Sequence, residues 1–460
     1  MNYKILSKLA KSTRRQTIMS KYHPPVNRNM RELDRAFFNI DIPIMCAKFT
    51  KPQYLPQFIK SCQSEIFYLP NVKHIIDKDN MKAVLLREEV KSARDLSPLA
   101  QTKLEEYEMK LAPHTVHLDY EFWKSDEILA AILPEHLVQE IPSGFATAGH
   151  LAHINLKEEF KPYGALIGQV ILDKNPVLKT VVDKKNSISN QFRTFPLELL
   201  AGEPNYEVEQ HESGCKFKFD FSKVYWNSRL STEHERLVAK FAPGEVVGDV
   251  MAGVGPFALP SGKKGTIVLA NDLNPESFKY LQENIAINKV DAFVEAYNLD
   301  GRKFIEDAAS ILDGFASRGP IEKKMVKRAK NGTKSASVET IHVPRFYHHF
   351  VMNLPDSAIT FLDAFVGLYS KCPQIKSEPG FKLPWVHVHC FEKFENGEGP
   401  TVEELSERIR RRICKLIDFE LDFEKMEFHQ VRMVSPTKPM FCVSFQLPEE
   451  VAFRTQSGRV

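Results

Sequence analysis

Long apolar runs are missing from this chain. No stretch approaches the ~18 residues that a membrane-spanning helix needs, so a spanning helix is excluded from the expectations. Cysteine is scarce and scattered. Seven cysteines, at 46, 62, 215, 372, 390, 414 and 442, occur in 460 residues, and none forms a CxxC pair. An odd, dispersed set argues against a disulfide framework or a zinc site and for reduced thiols inside a cell. Charge of one sign is nearly balanced, at a net +3. A nucleic-acid partner would therefore meet local basic patches, not bulk charge. Acids are absent from the first 31 residues, which carry Lys4, Lys8, Lys11, Arg14, Arg15, Lys21, Arg28 and Arg31 beside Ile5, Leu6 and Leu9. That composition predicts a mitochondrial targeting leader; a basic arm on RNA phosphates is the alternative. Met19 offers a second start that would omit the leader, giving forms for the mitochondrial matrix and for cytoplasm and nucleus.

With 43% hydrophobic and 26% charged residues, the rest reads as an ordinary soluble α/β chain of two to four domains. The leader (1–31) precedes a block at 32–115. There Ile42–Met45, Ile66–Leu69 and Ala83–Leu86 predict strands, and 92–109 predicts a helical boundary. A second block spans 116–232. In it Ala165–Leu172 predicts a strand, and Lys179–Lys185 predicts a strand with a basic face towards RNA or solvent. Arg193, flanked by Phe192 and Phe195, could fork onto a base edge or stay an ordinary surface arginine. Ser231-Thr232 predicts a helix cap, with Glu233 in the first turn. The last block, 233–460, is interrupted at 318–340 by a Lys-, Gly- and Ser-rich insert that predicts a disordered basic loop.

That last block is organised around Asp249-Val250-Met251-Ala252-Gly253-Val254-Gly255-Pro256-Phe257. An apolar strand, Val246–Met251, runs into two glycines one residue apart, a turn that lets a ligand approach closely. GxG alone is weak, because the third glycine of the dinucleotide fingerprint is missing. A second strand ends in Asp272, about twenty residues on, where an acid can accept from ribose hydroxyls. Asn274-Pro275-Glu276 then opens a helix. A third strand, Phe293–Tyr297, leads to Asp300-Gly301, placed to meet an adenine edge. A fourth, Phe350–Met352, leads to Asn353-Leu354-Pro355. Further on come a helix after Pro355, a strand at Trp385–Phe391, and a helix from Val402 whose other face carries Arg408, Arg411, Arg412 and Lys415. A hairpin of Glu427–Val434 and Met440–Leu447 closes the chain. Polar residues at successive strand ends mark the ligand edge of an open α/β sheet. Lack of a phosphate-cradling pattern favours S-adenosylmethionine as cofactor.

His23-Pro24-Pro25-Val26-Asn27-Arg28, Ile141-Pro142-Ser143-Gly144-Phe145, Gln191-Phe192-Arg193-Thr194-Phe195, the Asp249–Phe257 turn and Asn353-Leu354-Pro355 occur in one order. Together they resemble the eukaryotic and archaeal tRNA (guanine-N1)-methyltransferases that modify position 37. The likeness covers nearly the whole chain after the leader and departs from the family at the 318–340 insert. It implies a class I methyltransferase: a Rossmann-like catalytic domain behind N-terminal α/β domains that bind the tRNA elbow and anticodon loop. It further implies a monomer that supports reading-frame maintenance.

The resemblance also gives roles to residues. It makes Glu233 the base for the guanine N1 proton and Arg193 the partner of O6. Asn353 and Pro355 would grip the flipped base, and Tyr225 would line its pocket. The cofactor would meet His234, Asp249, Gly253, Gly255, Asp272, Leu273, Asp300, Gly301 and Asn353. The chemistry is coherent. Guanine N1 is protonated at neutral pH, so it needs a base before it can attack a methyl group, and a cation near O6 stabilises the charge that develops. A base stacked in an RNA loop must leave its stack. No metal is required. Two rivals remain: the aminocarboxypropyl transferase of wybutosine synthesis, and a tRNA-binding protein with a vestigial nucleotide fold.

Overall fold

The computed structural model describes residues 22–142, 144–185, 192, 196–328 and 334–455. These residues form two compact units. One combines the described residues before 146 with His153–Asp183 and Leu199–Glu203; the other combines Ala146–Ala152, residues 184–198 and the chain from Pro204. Among the described residues no helix is long and apolar enough to cross a membrane.

In the first unit, β1 (Ile40–Phe49), β2 (Ile75–Lys78), β3 (Met81–Leu85) and β4 (Met109–Leu118) form a sheet of order β2-β3-β1-β4. Its pairings are antiparallel. Helices α1 (Leu55–Ser61) and α2 (Pro98–Glu106) contribute Phe58 and Ala100 to a core with Phe49, Val84, Leu96 and Tyr107. The predicted strand at Ile66–Leu69 does not form; Ile66 makes a single bridge to Leu86. Helices α3 (Ser125–Ile132) and α4 (Gly164–Asp173) follow. The second overturns the strand expected at Ala165–Leu172. Leu166, Ile167, Val170 and Ile171 are buried on one helix face while Ala165 is exposed, a period that the nearly continuous apolar composition of the run hides. Lys179–Lys185 does contain a strand, Thr180–Lys184, but not the basic face: Thr180 to Asp183 are buried. The Asp183 carboxylate accepts the Leu156 N–H at 2.8 Å.

From Pro204 the second unit continues with a hairpin, β5 (Glu207–Glu212) and β6 (Cys215–Asp220). Its two-residue turn has positive φ at Ser213 (49°) and Gly214 (72°), the geometry of a tight hairpin turn. Then come α5 (Ser231–Lys240), β7 (Val246–Asp249), α6 (Ala258–Lys264), β8 (Ile267–Asn271), α7 (Pro275–Asn288), β9 (Val294–Tyr297), α8 (Gly301–Glu306) and α9 (Ala308–Ala316). After these come β10 (Ile321–Arg328), β11 (Lys334–Ile341), β12 (His349–Met352), β13 (Trp385–Phe391), α10 (Val402–Ile417), β14 (Glu427–Ser435) and β15 (Lys438–Gln446).

Seven of the strands make one sheet, β9-β8-β7-β12-β13-β15-β14. It is parallel from β9 to β13 and antiparallel at the closing hairpin. The strands β7, β8 and β12 are buried throughout, as expected of a parallel sheet covered on both faces. On α7, Asn284 and Asn288 stand one turn apart. Their side-chain amides pair with the Lys216 and Lys218 backbone, docking the β5–β6 edge without another strand.

Three expectations fail in this unit. The insert contains two paired strands, β10 and β11, with Ile321 opposite Ile341, not a structureless loop. The helix after Pro355 is a 3₁₀ segment, Ala358–Phe365. Ser231-Thr232 does not cap α5; Asn227 caps the preceding turn by accepting the Arg229 N–H. The basic face of α10 is largely neutralised, since Arg408, Arg411 and Arg412 pair with Glu398, Glu407 and Glu392.

Candidate active site

Strand β7 delivers Asp249 to the centre of the sheet's carboxyl edge, and the chain then turns through Gly253 (φ 56°) and Gly255 (φ 98°). At Gly253 there is open space where a Cβ would stand. At Gly255 a Cβ would come within 2.8 Å of Leu281 and 2.9 Å of Leu259. One glycine leaves room for a ligand; the other lets the turn sit down on α6 and α7.

Asp272, after β8, holds this turn. Its Oδ2 accepts the Gly253 N–H at 2.8 Å, and its Oδ1 accepts the Asn274 N–H at 2.9 Å. Asn274 in turn caps α7 by accepting the Glu276 N–H. Burial raises the Asp272 carboxyl against these bonds. Asn271, which the sequence reading passed over, is fully buried. Its amide donates to the Val250 and Leu299 carbonyls, and its carbonyl accepts the Leu299 N–H. It ties together the ends of β7, β8 and β9. Asn298 donates to the Asp272 and Leu273 carbonyls, and Leu273 stands partly exposed. Asp300 caps α8 by accepting the Arg302 N–H. A Cβ on Gly301 would sit 3.2 Å from Met251.

Two polar groups at this edge lack partners. Both carboxylate oxygens of Asp249 are buried without a hydrogen bond, as is Oδ1 of Asn353. Their strands are neighbours, with Asp249 opposite Val351. Burial, then nearby Asp272, raises the Asp249 carboxyl well above the usual range. An unpaired buried carboxylate is costly unless a partner arrives. A cationic ammonium with hydroxyls suits this set of acceptors, and the methionine and ribose ends of S-adenosylmethionine are such groups.

Glu233 lies in the first turn of α5, 2% exposed. Arg236 grips it with two bonds, Nε to Oε2 at 2.6 Å and Nη2 to Oε1 at 2.8 Å. His389, on β13 and fully buried, sits 2.8 Å from Oε1 through Nε2. Burial alone would raise the Glu233 carboxyl, but Arg236 and His389 outweigh it and bring it down to about 2. Phe257 of the glycine turn packs edge-on against His234 at 4.8 Å and lies 6.1 Å from His389. The cofactor turn and the Glu233 cluster thus share one aromatic wall. His234 is committed to Glu212, Nδ1 to Oε1 at 2.6 Å. Tyr225 is half exposed, available to stack. The Pro355 carbonyl accepts the Phe391 N–H at 2.9 Å, which fastens the Asn353–Pro355 loop to the end of the strand bearing His389. Arg193 lies outside the described residues, as do Ser143 and most of residues 191–195.

Comparison with known proteins agrees with this architecture. A family model described as the TRM5/TYW2 methyltransferase domain matches residues 208–318, and one described as the TYW2 N-terminal domain matches residues 125–205. The tRNA (guanine(37)-N(1))-methyltransferase of Candida albicans (strain SC5314) is 64% identical over 446 residues, spanning 95% of this chain and 99% of its own. That of Saccharomyces cerevisiae is 46% identical over 475 residues, spanning 94% and 95%. Among solved structures, the complex of aTrm5 and tRNALeu covers 88% of this chain and all of its own, with a TM-score of 0.57 at 18% identity, a likeness of fold.

Proposed function

Because the chain belongs to the tRNA (guanine(37)-N1)-methyltransferase family, we infer that it transfers a methyl group from S-adenosylmethionine to N1 of guanine 37 in tRNA. The observation that carries this is near full-length identity of 64% to a relative so named. The unpaired buried acceptors of Asp249 and Asn353 at the strand ends support a cofactor site there. The aminocarboxypropyl reading is outweighed by these relatives.

When bound, S-adenosylmethionine supplies an electrophilic methyl group and departs as a neutral thioether. The chain's residues do the rest. Asp249 and Asn353 hold the methionine end, while Asp272 and the Leu273–Asp300 rim meet ribose and adenine. Tyr225 and the Asn353–Pro355 loop receive the extruded base. Arg193 neutralises charge on O6, and the proton of N1 is taken up at the cluster around Glu233. The first unit supports recognition of the tRNA elbow. The basic leader directs a share of the protein to mitochondria.

The deciding experiment measures methyl transfer to tRNA transcripts carrying G or A at position 37, with the product identified by mass. Transfer of one methyl to G37 and none to A37 is expected. A four-carbon amino acid adduct, or methylation unaffected by the base at 37, would overturn the reading.

A further inference from the structure

Four side chains that stand far apart in the sequence meet beside α5. His389 of β13 lies directly opposite Cys442 of β15, and Cys442 lies directly opposite His429 of β14. Residues in direct register share a face, so the three form a row across three strands, and Glu233 stands against it. One ligand atom from each of Glu233, His389 and Cys442 lies within 4.8 Å of the other two. All three residues are buried. The fourth, His429, brings Nε2 to 3.5 Å from Oε2 of Glu233, an ion-pair contact, with 46% of its side chain exposed. His389 uses one of its two ring nitrogens: Nε2 meets Glu233, and Nδ1 is buried without a hydrogen bond.

We propose that Glu233, His389 and Cys442, with His429 completing the tetrahedron from the exposed side, form a binding site for Zn²⁺, and that the seated ion inhibits the enzyme. A carboxylate oxygen, an imidazole nitrogen and a thiolate are the donors that hold zinc, at about 2.0–2.3 Å in a tetrahedron. At that range neighbouring ligands stand roughly 3.3–3.6 Å apart, so side-chain shifts of about 1 Å close this group on an ion. The thiolate selects zinc over Mg²⁺ and Ca²⁺, which take oxygen ligands. Arg236 does not bar the ion. Burial alone would lower the His389 imidazole, but Cys442 and Glu233 outweigh it and bring it up to about 9, so the ring is charged at pH 7. Zn²⁺ displaces that proton and the thiol proton of Cys442. Two positive charges leave as two arrive, and Arg236 keeps its two bonds to Glu233. The exposed ring of His429 marks the way in. The inhibition rests on the methyl-transfer reading above: an ion on the Glu233 carboxylate occupies the electron pair that would accept the N1 proton. The site itself does not rest on that reading.

The test uses the full-length protein, stripped with a chelator, and Zn²⁺ or Co²⁺ alone as the probe. Competition with a chromophoric chelator should give one tightly held Zn²⁺ per chain. The Co²⁺ form should show the charge-transfer absorption of a thiolate ligand, and zinc-edge X-ray absorption should show one sulfur among nitrogen and oxygen neighbours. Cys442→Ala should lose the absorption and weaken Zn²⁺ by at least the roughly 10- to 100-fold that a lost outer-shell partner costs. Methyl transfer by the wild type should fall in step with Zn²⁺ occupancy and return with chelator, while Cys442→Ala, compared with its own metal-free rate, should resist. No stoichiometric Zn²⁺, a shell with no sulfur or with several, or full thiolate absorption in Cys442→Ala overturns the site. Wild type that is loaded and keeps its full rate overturns the inhibition. The wild-type binding and absorption measurements need neither the variant nor activity, so they decide the site if Cys442→Ala does not fold. A metal-free protein that leaves tRNA unmethylated counts against the methyl-transfer reading, and with it the inhibition, and leaves the site to those measurements.

Discussion

Asp249 and Asp272 sit at adjacent strand ends yet answer to different forces. Asp272 is satisfied by Gly253 and Asn274, so Asp272→Ala should both weaken cofactor binding and loosen the turn. A charge-assisted bond is worth on the order of 1.5–3 kcal/mol. Asp249 has no such partners. Asp249→Asn keeps its shape and removes a carboxyl that burial must neutralise when the chain folds. It should raise the thermal midpoint of the cofactor-free protein by a few degrees while weakening S-adenosylmethionine about tenfold or more. Calorimetry and thermal melts decide. A variant that binds as tightly as wild type would remove Asp249 from the site. The acids were legible because they follow apolar runs at strand ends. Asn271, His389 and His429 were not. Each lies in or after a run that reads simply as strand, and their roles depend on which strands become neighbours, which no local spacing encodes.

Among the elements, β12 and β13 bury a pair of imidazoles. His349 Nδ1 lies 3.0 Å from His387 Nε2, His387 Nδ1 lies 2.7 Å from Ser444, and His349 Nε2 lies 3.3 Å from Glu245. Burial lowers His349 to about 4 and His387 well below its ordinary value. Their folded-state affinities for protons are below those of the unfolded chain, near 6.5. The unfolded state therefore binds protons first, and stability is lost as pH falls from about 6.5 towards 4. His349 alone accounts for on the order of 3 kcal/mol once fully titrated. Urea midpoints at pH 7.5 and 5 should differ clearly in wild type and less in His349→Gln. Equal shifts in both would clear His349 of the effect. Strand and helix order in this unit was readable because short buried runs alternate with the helical periods of α7 and α10. The run at Ala165–Leu172 misled because apolar residues also stand on the less buried face of α4, at Ala165 and Leu172, and blur its helical period. The 318–340 insert misled because its polar composition reads as a loop, whereas β10 and β11 satisfy each other's backbone whatever their side chains.

At the scale of the molecule, the two units do not follow the sequence blocks. The second reclaims Ala146–Ala152 and residues 184–198 from the midst of the first, and such an exchange leaves no mark in composition. The leader is separable on the proposed reading. A protein starting at Met19 should methylate purified tRNA at the wild-type rate and fail to enter isolated mitochondria. Import of the shortened form would show that the leader is not the signal, and loss of activity would make the basic arm part of the enzyme.

The sheet order β9-β8-β7-β12-β13-β15-β14 also sets a timetable. During synthesis, domains fold as the chain emerges. The glycine turn at 253–255 and Asp272 are made early, but His389, Cys442 and His429 come from the last three strands. A ribosome must finish almost the whole chain before Glu233 meets its imidazoles, and until then Glu233 and Arg236 have only each other. A message cut just before Glu427 would encode the cofactor edge and His389 but neither His429 nor Cys442 of the row that faces Glu233. Such a fragment should retain whatever affinity for S-adenosylmethionine its sheet can support and transfer no methyl groups. Premature stops in the final tenth of the reading frame would then be as damaging to catalysis as stops near its start.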